Sequence, residues 1–389
     1  LLFVLTGAAA AIGCRSGETR LIMPEKLFEL PIGKTETDLA FFTDNRSPSL
    51  QNVRIKMRDG LIYVMDPGVN KLMEFNSYGE ILTLWFDPEL NPPPTLLKEN
   101  AEPGKEVTKK AFAFPFHRIT EFAVNSQKRI YIVDRRPFEN AVVSTEYGVP
   151  LVCTVICFGK TGEAEYTLGQ EGISGNPFPF ITDISVDNRD CLNITCRTKN
   201  GSVFFKYDDN GTLLYKADFP DRSVPSVQKE TVSRQGEILP SHTPSRIFIR
   251  TDIYIEHSNK TNSANFDFLK TVVWVRNLEK NKFEGYFNLP NTETKTVGSA
   301  LSEEAVYPVM LSADGFDLHG NLFFSSIEEP GIERLLILNQ FSQDIVTKRI
   351  FTGFEKILLM RRCVSPEGIT VGIVFTEEKA EIYWWRTDL

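Results

Sequence analysis

The sequence has few of the residues from which catalytic and metal sites are built. Only four histidines occur in 389 residues, and they lie on separate segments, so three of them would meet on one metal only at a central axis. No Gly-x-Ser-x-Gly or His-Glu-x-x-His motif occurs, which excludes the nucleophile turn of a serine hydrolase and the helical site of a zinc protease. Motifs alone therefore predict no catalytic centre.

Positive charge is also scarce. The chain has 43 Lys and Arg residues against 51 Asp and Glu residues, a net charge of −8, and its basic residues do not form long runs. Binding to nucleic-acid phosphates requires a concentrated positive face. A nucleic-acid partner is therefore not expected.

Cysteine is rare, and its spacing does not suit disulfides or zinc. Cys153 and Cys157 lie four residues apart on a predicted strand, so they are about 13 Å apart, beyond the ~7 Å limit for a disulfide. Cys191 and Cys196 fall on opposite faces of another strand. Neither spacing is that of a zinc knuckle. We expect these thiols to be small, buried apolar groups.

The chain opens on an apolar run, LLFVLTGAAAAIGCRSGET, without charge from Leu1 to Ile12. It is shorter than the roughly 20 residues of a membrane-spanning helix and matches the roughly 7 to 15 of a signal-peptide core. Small residues and Gly13 precede Cys14. The stretch resembles a bacterial lipoprotein signal, in which Gly and Cys at these two positions direct cleavage and lipidation. The alternative is a buried segment of the fold that ends in cysteine.

The lipoprotein resemblance implies three parts of the chain: a signal peptide over residues 1–13, a tether over residues 14–25 and a folded domain over residues 26–389. Cys14 would be the first mature residue and would carry acyl chains, each buried CH₂ contributing about 0.8 kcal/mol to anchoring. The protein would then be exported and held on the bacterial envelope membrane, on its periplasmic side or at the cell surface. We expect the natural start of the chain to lie upstream of Leu1.

The remaining sequence is rich in residues that favour strands, with 29 Phe and only six Met. Three units repeat: GLIYVMDPGVNKLMEFNSYGEIL, RIYIVDRRPF continued by LVCTVICFGKTGEAEYTLG, and CLNITCRTKNGSVFFKYDDNGTLLYKADF. Two of them have a strand that ends in Asp, at Asp66 and Asp134. All three then place an aromatic residue four positions before Gly, at Phe75, Phe158 and Tyr207. That spacing predicts a hairpin in which Gly takes a positive φ and the aromatic ring is buried.

Each unit follows a further strand, VRIKM, ITEFAV or ITDISV, and so contains four strands, as a propeller blade does. Weaker copies complete six blades, whose second strands are predicted to begin near Leu61, Ile130, Cys191, Ile253, Leu322 and Ile369. The stretches 87–112 and 220–245 lack periodicity and are predicted as loops between blades. The sequence thus predicts an all-β, six-bladed β-propeller with four-stranded antiparallel blades, forming a single domain.

The sixth predicted blade has only three strands before the chain stops. A propeller closes its ring without an exposed sheet edge, and a strand from the N-terminus commonly completes the last blade. The isolated strand KLFELPIG, residues 26–33, alternates in polarity. We expect it to pair beside residues 380–386.

The first three units, with Ile-Tyr-Val-x-Asp followed by aromatic-x-x-x-Gly, resemble NHL-type six-bladed propellers. Propellers of that kind include binding platforms, receptors, lyases and lactonases. The resemblance therefore implies a fold and leaves the function open.

Candidate ligand-binding residues come from loops that meet at one face of the predicted ring: His117, Arg118, Glu121, Arg135, Arg136, Asp183 and His257. Their mixed charge would suit a polar ligand or the loop of a partner, and the alternative is an ordinary solvated rim. Calcium is the cofactor that Glu121, Asp183 and nearby carbonyls would take, and no other cofactor is indicated. Asp66 and Asp134 are expected to accept bonds from backbone N–H groups in turns.

These observations favour a lipid-anchored envelope propeller that acts as a non-catalytic binding or scaffold module. Its partners would be membrane lipid, through acylated Cys14, and a protein or small polar ligand. The alternative is a metal-dependent hydrolase or lyase with its site in the central channel. A sensor domain that regulates a membrane partner is a third class, which the sequence does not separate from the first.

Overall fold

The structure is a computed structural model that describes residues 20–40, 53–99, 109–169, 172–173, 175–257, 265–295 and 306–389. The described residues form 31 strands and one 3-10 helix, Phe138–Asn140. Six antiparallel sheets of four strands each are arranged as blades around a central channel, which confirms the predicted all-β propeller. In this part of the chain, no helix has the length and apolarity needed to cross a membrane.

Two strands precede the blades, β1 (Leu21–Ile22) and β2 (Glu25–Pro31). From the channel outward, blade 1 consists of β3 (Arg54–Arg58), β4 (Leu61–Asp66), β5 (Lys71–Phe75) and β6 (Ile81–Phe86). The short strands that follow blade 1 are β7 (Lys98–Glu99) and β8 (Lys110–Ala113). Blade 2 consists of β9 (Ile119–Val124), β10 (Ile130–Arg135), β13 (Cys153–Phe158) and β14 (Ala164–Leu168). A small hairpin between its second and third strands is formed by β11 (Val142–Val143) and β12 (Pro150–Leu151).

Blade 3 consists of β15 (Phe180–Val186), β16 (Leu192–Thr198), β17 (Gly201–Tyr207) and β18 (Leu213–Pro220). Blade 4 consists of β19 (Thr231–Pro240), β20 (Arg246–His257), β21 (Asn265–Asn277) and β22 (Lys282–Asn288). A hairpin then follows, formed by β23 (Thr292–Lys295) and β24 (Val306–Val309). Blade 5 consists of β25 (Ser312–Phe316), β26 (Asn321–Glu329), β27 (Ile332–Asn339) and β28 (Ile345–Phe351). Blade 6 consists of β29 (Leu359–Val364), β30 (Thr370–Phe375), β31 (Lys379–Trp385) and β2.

The N-terminal strand closes the ring, as its alternating sequence predicts. β2 pairs antiparallel with β31, from Glu25 opposite Trp384 to Pro31 opposite Lys379. Phe28 and Leu30 enter the apolar core shared by blades 6 and 1. The opposite face of the same strand is polar and exposed, so burial of one face fixes the register of this closing strand.

The hydrophobic core is divided among the contacts between blades. Six apolar clusters each combine side chains from two neighbouring blades, and together they follow the whole ring. Because neighbouring blades cover the faces of each sheet, it is mainly the innermost strand of each blade that borders the channel. The side chains of the innermost strands therefore determine what the channel presents to a ligand.

The repeated aromatic-x-x-x-Gly spacing has the predicted role. Phe75, Phe158 and Tyr207 are fully buried, and the glycine four residues after each has a positive φ of 81° to 94°. At Gly79, a Cβ atom would also lie 2.7 Å from the Phe28 ring of the closing strand. This turn therefore needs glycine for both its backbone conformation and its close packing.

The prediction for blade 4 is wrong in its inner half. Residues 220–245 were expected to form a loop, but they contain β19, the innermost strand, and the second strand begins at Arg246 instead of near Ile253. A β-bulge places Gly236 and Glu237 opposite one residue of β20 and breaks the alternation of polarity. Because this strand faces a polar channel, its sequence also lacks a strong apolar pattern.

The stretch 87–112 is also only partly the predicted loop. β8 pairs in parallel with β6, and β7 pairs in parallel with β8, so blade 1 widens to six strands. The outer strand of a blade has unpaired backbone groups that a neighbouring segment satisfies. Residues 100–108 lie outside the described part of the chain.

The structure describes only part of the N-terminal segment to which the predictions apply. Residues 1–19, with Cys14, lie outside the described residues. Within the segment predicted as a tether, β1 pairs in parallel with β28 on the outer edge of blade 5. Ordered structure therefore begins before residue 26.

The cysteines of the folded part are free thiols, as expected. Cys153, Cys157, Cys191 and Cys196 are buried, and Cys363 is half-buried. Burial raises the pKa of Cys157, Cys191 and Cys363 to about 11.

Candidate functional site

A channel of about 910 Å³ passes along the ring axis and is lined by the innermost strands of all six blades. We call the end of the ring where these strands begin, and where the second strands end, the entry face. The charged side chains that line the channel are Arg54, Lys56, Arg58, Glu121, Asp183, Arg197, Glu237, Asp314, Arg361 and Arg362. A cavity of this size accommodates a small organic molecule.

Bulges in two innermost strands turn polar side chains into the channel. In β15, Asp183 pairs opposite Thr195 after an irregularity, and Thr182 and Asp183 are both exposed in succession. In β19, the bulge brings Gly236 and Glu237 to the same surface. Between these strands the channel extends outward as far as Ser202 on the third strand of blade 3. Between blades 3 and 4 the lining therefore includes residues beyond the innermost strands.

Blades 1 and 2 contribute a buried ion pair. The Nε and Nη2 atoms of Arg54 donate to Oε1 of Glu121 at 2.8 and 2.6 Å. Burial raises the pKa of the Glu121 carboxyl, and the bonds from Arg54 oppose this shift. The remaining guanidinium nitrogen of Arg54, Nη1, lies 3.4 Å from the carbonyl oxygen of Val53. The Arg54 guanidinium is therefore largely occupied by the protein itself.

Lys56 and Arg58 follow Arg54 at every second position of β3, so all three side chains share its channel face. The ammonium of Lys56 lies 5.5 Å from the centre of the Phe122 ring and donates to the carbonyl of Ile184 at 3.0 Å. Arg58 donates to the carbonyl of Val124 at 3.1 Å. These cations reach across blade 2 towards blade 3.

Blade 6 adds two consecutive arginines with different surroundings. Arg362 turns to blade 5, where it bonds Glu333, lies 3.4 Å from Asp314 and donates to Ser325 at 2.8 Å. Arg361 lines the channel, and its buried Nε atom has no hydrogen-bond partner among the described residues. Burial and the nearby positive charge of Arg54 lower the pKa of Arg361, while Glu121 opposes the shift.

Asp134, at the end of the second strand of blade 2, lies beneath a loop at the entry face. Its Oδ1 atom accepts from the backbone N–H groups of His117 and Arg118 at 3.0 and 2.8 Å, and its Oδ2 atom lies 3.0 Å from Nδ1 of His117. Asp66 accepts from the N–H groups of Ala40 and Gly68 at 2.6 and 3.0 Å. Both aspartates thus organise loops, as expected.

An aromatic and basic cluster projects from the entry face next to this loop. The Arg135 guanidinium lies 4.4 Å from the centre of the Phe138 ring and 4.8 Å from that of Phe180. Phe138 belongs to the 3-10 helix of blade 2 and is 56% exposed, while Phe180 begins blade 3 and is 43% exposed. Val142 and Val143, on the neighbouring hairpin, are more than half exposed. We call Arg135, Phe138, Val142, Val143 and Phe180 the rim cluster.

The structure divides the predicted ligand-binding residues into two groups. His117, Arg118, Arg135 and Arg136 lie on the rim of blade 2, and Arg118 and Arg136 are exposed. Glu121 and Asp183 lie in the channel. His257 ends β20, and its side chain lies outside the described residues. His242 follows β19, the innermost strand of blade 4, and its Nε2 atom lies 2.6 Å from the carbonyl oxygen of Leu318.

The calcium site predicted at Glu121, Asp183 and nearby carbonyls stays a prediction. In the described ranges, no group of three or more His, Cys, Asp or Glu side chains has the geometry to hold a metal ion. The Glu121 carboxylate is bonded to Arg54. A cation at Glu121 would lie beside the positive charge of this arginine.

Sequence reasoning missed the channel cations, Arg54, Lys56 and Arg361. Their signal was present in β3, where VRIKMR places a basic residue at every second position of an innermost strand. Arg361 has no such local pattern. It lies near Arg54 because closure of the ring places blade 6 beside blade 1.

Comparison with known proteins finds solved structures of low similarity. No family model and no curated protein matches this chain. The WD40 domain of coronin from Toxoplasma gondii is 8% identical, with a TM-score of 0.37 over 85% of this chain and 67% of that chain. The β-propeller domain of the Trilobed protease from Pyrococcus furiosus, described as having an open velcro topology, is 12% identical, with a TM-score of 0.37 over 86% and 95%. Similarity at this level says nothing about function.

Proposed function

We propose that this chain is a non-catalytic binding module that docks a protein partner on the entry face of its propeller. The observation that carries this proposal is the rim cluster. It combines two exposed phenylalanines, on different blades, with an arginine held between their rings.

Such a cluster has the composition of an interface centre. Aromatic residues and arginine are enriched at protein interfaces and among the residues that dominate binding energy. Holding the Arg135 guanidinium between two rings fixes its position before binding, which reduces the entropy lost on association. The exposed Arg118 adds a second basic group beside Arg135, and Glu139 is an exposed acid of the 3-10 helix. The partner surface that fits is an acidic segment with apolar side chains.

We further propose that the module is exported and anchored to the bacterial envelope membrane by acyl chains on Cys14. The support is the apolar sequence before Cys14, with Gly13 at the preceding position. We also propose an NHL-like origin for the first three blades, since Asp66 and Asp134 share one structural role at the ends of corresponding strands.

Site-specific photocross-linking in the producing cells tests the docking proposal. A photoreactive residue at Phe138 or Phe180 should capture one envelope protein, and the charge-reversing substitution Arg135→Glu should abolish that product. The matched control is Phe341, which is 63% exposed in the turn between β27 and β28 at the opposite face. Capture of the same protein from position 341, or capture unaffected by Arg135→Glu, would reject the rim cluster as the docking site.

Membrane fractionation tests the anchor. We expect the Cys14→Ala protein to leave the membrane pellet and the Cys363→Ala protein to remain in it. If the Cys14→Ala protein stays in the pellet, the localisation proposed here is wrong.

Metal analysis of the purified protein tests the enzymatic alternative. The protein would be a hydrolase instead of a binding module if it contained stoichiometric calcium and had a hydrolytic activity, and if Glu121→Gln or Asp183→Asn removed both.

A further inference from the structure

Blades 6 and 1 supply three cationic side chains to the channel. Arg54, Lys56 and Arg361 come from these two blades and line the same cavity. Glu121 is the carboxylate that bonds a member of this group, and it bonds Arg54 alone. Among the described residues, neither Lys56 nor Arg361 has a carboxylate within ion-pair distance. Within the described ranges, these two cationic groups therefore have no ion-pair partner.

This arrangement is unfavourable for folding. A guanidinium that is partly removed from water and lies near a second one loses solvation and gains repulsion. The lowered pKa of Arg361 has these two causes. The paired neighbour Arg362 shows that the fold can neutralise an arginine at the adjacent position with Asp314 and Glu333. The lack of such partners at Arg361 is explained if an external anion binds there and supplies the negative charge.

Both unpaired groups retain hydrogen-bond donors for such an anion. A guanidinium has five N–H donors in a fork that matches a carboxylate, and an ammonium has three. The protein uses one N–H of Lys56, for the carbonyl of Ile184. Arg361 makes no side-chain hydrogen bond within the described ranges, and it lies at the channel surface.

The side of the channel formed by blades 3 and 4 has a different chemistry. Between blades 3 and 4 it is lined by short hydroxyl and amide side chains, namely Thr182, Ser185, Thr195, Ser202 and Gln235. Asp183 adds a carboxylate that accepts hydrogen bonds. Such groups match the hydroxyl groups of a ligand, because each can donate to or accept from an O–H group.

We propose that the channel binds a small organic acid that carries several hydroxyl groups, a hydroxy acid or sugar acid. Its carboxylate lies against Arg361 and Lys56, and its hydroxyl groups face the polar side chains of blades 3 and 4. A volume of about 910 Å³ is far larger than a lone inorganic ion needs and lies in the range of small-molecule sites. This site shares no residue with the rim cluster, so its test does not depend on the docking proposal.

Titration calorimetry of the purified protein with D-glucuronate tests this site. We expect D-glucuronate to bind and D-glucose, which has similar hydroxyl groups and no carboxylate, to give no heat of binding. Arg361→Gln and Lys56→Gln should each weaken D-glucuronate binding at least tenfold. The matched control is Arg386→Gln, because Arg386 pairs with Asp388 outside the channel and should leave the affinity unchanged.

Thermal unfolding separates a binding role of Arg361 from a structural one. Since Arg361→Gln removes a repulsive charge, the variant without ligand should melt at the wild-type temperature or slightly above it. Absence of D-glucuronate binding, equal binding of D-glucose, or equal loss in the Arg386→Gln protein would overturn the proposal. A lower melting temperature of the Arg361→Gln protein, together with unchanged D-glucuronate affinity, would overturn it as well.

Discussion

At the scale of single residues, the molecule separates groups that build the fold from groups that the fold leaves available. Asp66 and Asp134 are buried acceptors for loop N–H groups. This role was predictable, because an aspartate at the end of a strand lies beside a turn. The unpaired state of Arg361 was not predictable, since it depends on residues about 300 positions away in the chain.

Substitution of Asp134 measures its structural role. Asp134→Ala leaves two backbone N–H groups without an acceptor and should lower the free energy of unfolding by about 2 kcal/mol. Asp134→Asn keeps an oxygen at the Oδ1 position that receives both bonds, so its effect should be clearly smaller. Urea unfolding of the three proteins makes the comparison. Equal effects of Ala and Asn would show that the loop does not depend on this acceptor.

The thiols give a prediction about pH. With a pKa raised to about 11 by burial, Cys157, Cys191 and Cys363 are only about 0.1% thiolate at pH 8. In a Cys14→Ala protein, the reaction with Ellman's reagent should be slow at pH 8 and accelerate as the pH rises towards 11, because deprotonation creates the nucleophile. Denaturant should release five fast thiols. Fast reaction in the native protein at pH 8 would contradict this burial.

At the scale of elements, the strands were predictable where one face is apolar. The inner strands of blades 1 to 3 and the closing strand β2 show this alternation, and the structure confirms them. β19 does not, because a bulge at Gly236 shifts the pattern and its channel face is polar. The rim cluster was missed as a cluster for a similar reason: Phe138 and Phe180 belong to different blades and meet only after packing.

Leu30 tests the closing strand. Its side chain is 2% exposed in the core between blades 6 and 1, so Leu30→Ala should lower the free energy of unfolding by about 2 to 4 kcal/mol. Hydrogen exchange should accelerate first in β31, its pairing partner. The control is Glu29→Ala on the solvent face of the same strand, which should change stability little. Equal destabilisation by the two substitutions would show that β2 does not seal the ring.

At the scale of the whole molecule, closure of the ring links the fold to its proposed binding site. The pairing of β2 with β31 completes the last blade, and in the closed ring Arg361 lies next to blade 1. The net charge of −8 predicted no anion site, because a whole-chain sum does not show a local concentration of cations. Positive charge inside an acidic protein is the feature on which the proposed anion site depends.

The most direct measurement is a crystal structure of the protein with D-glucuronate. We predict six blades, with β2 beside β31, and the sugar carboxylate within about 3 Å of the Arg361 guanidinium. A ring of another blade number, or a sugar bound only outside the channel, would contradict this account.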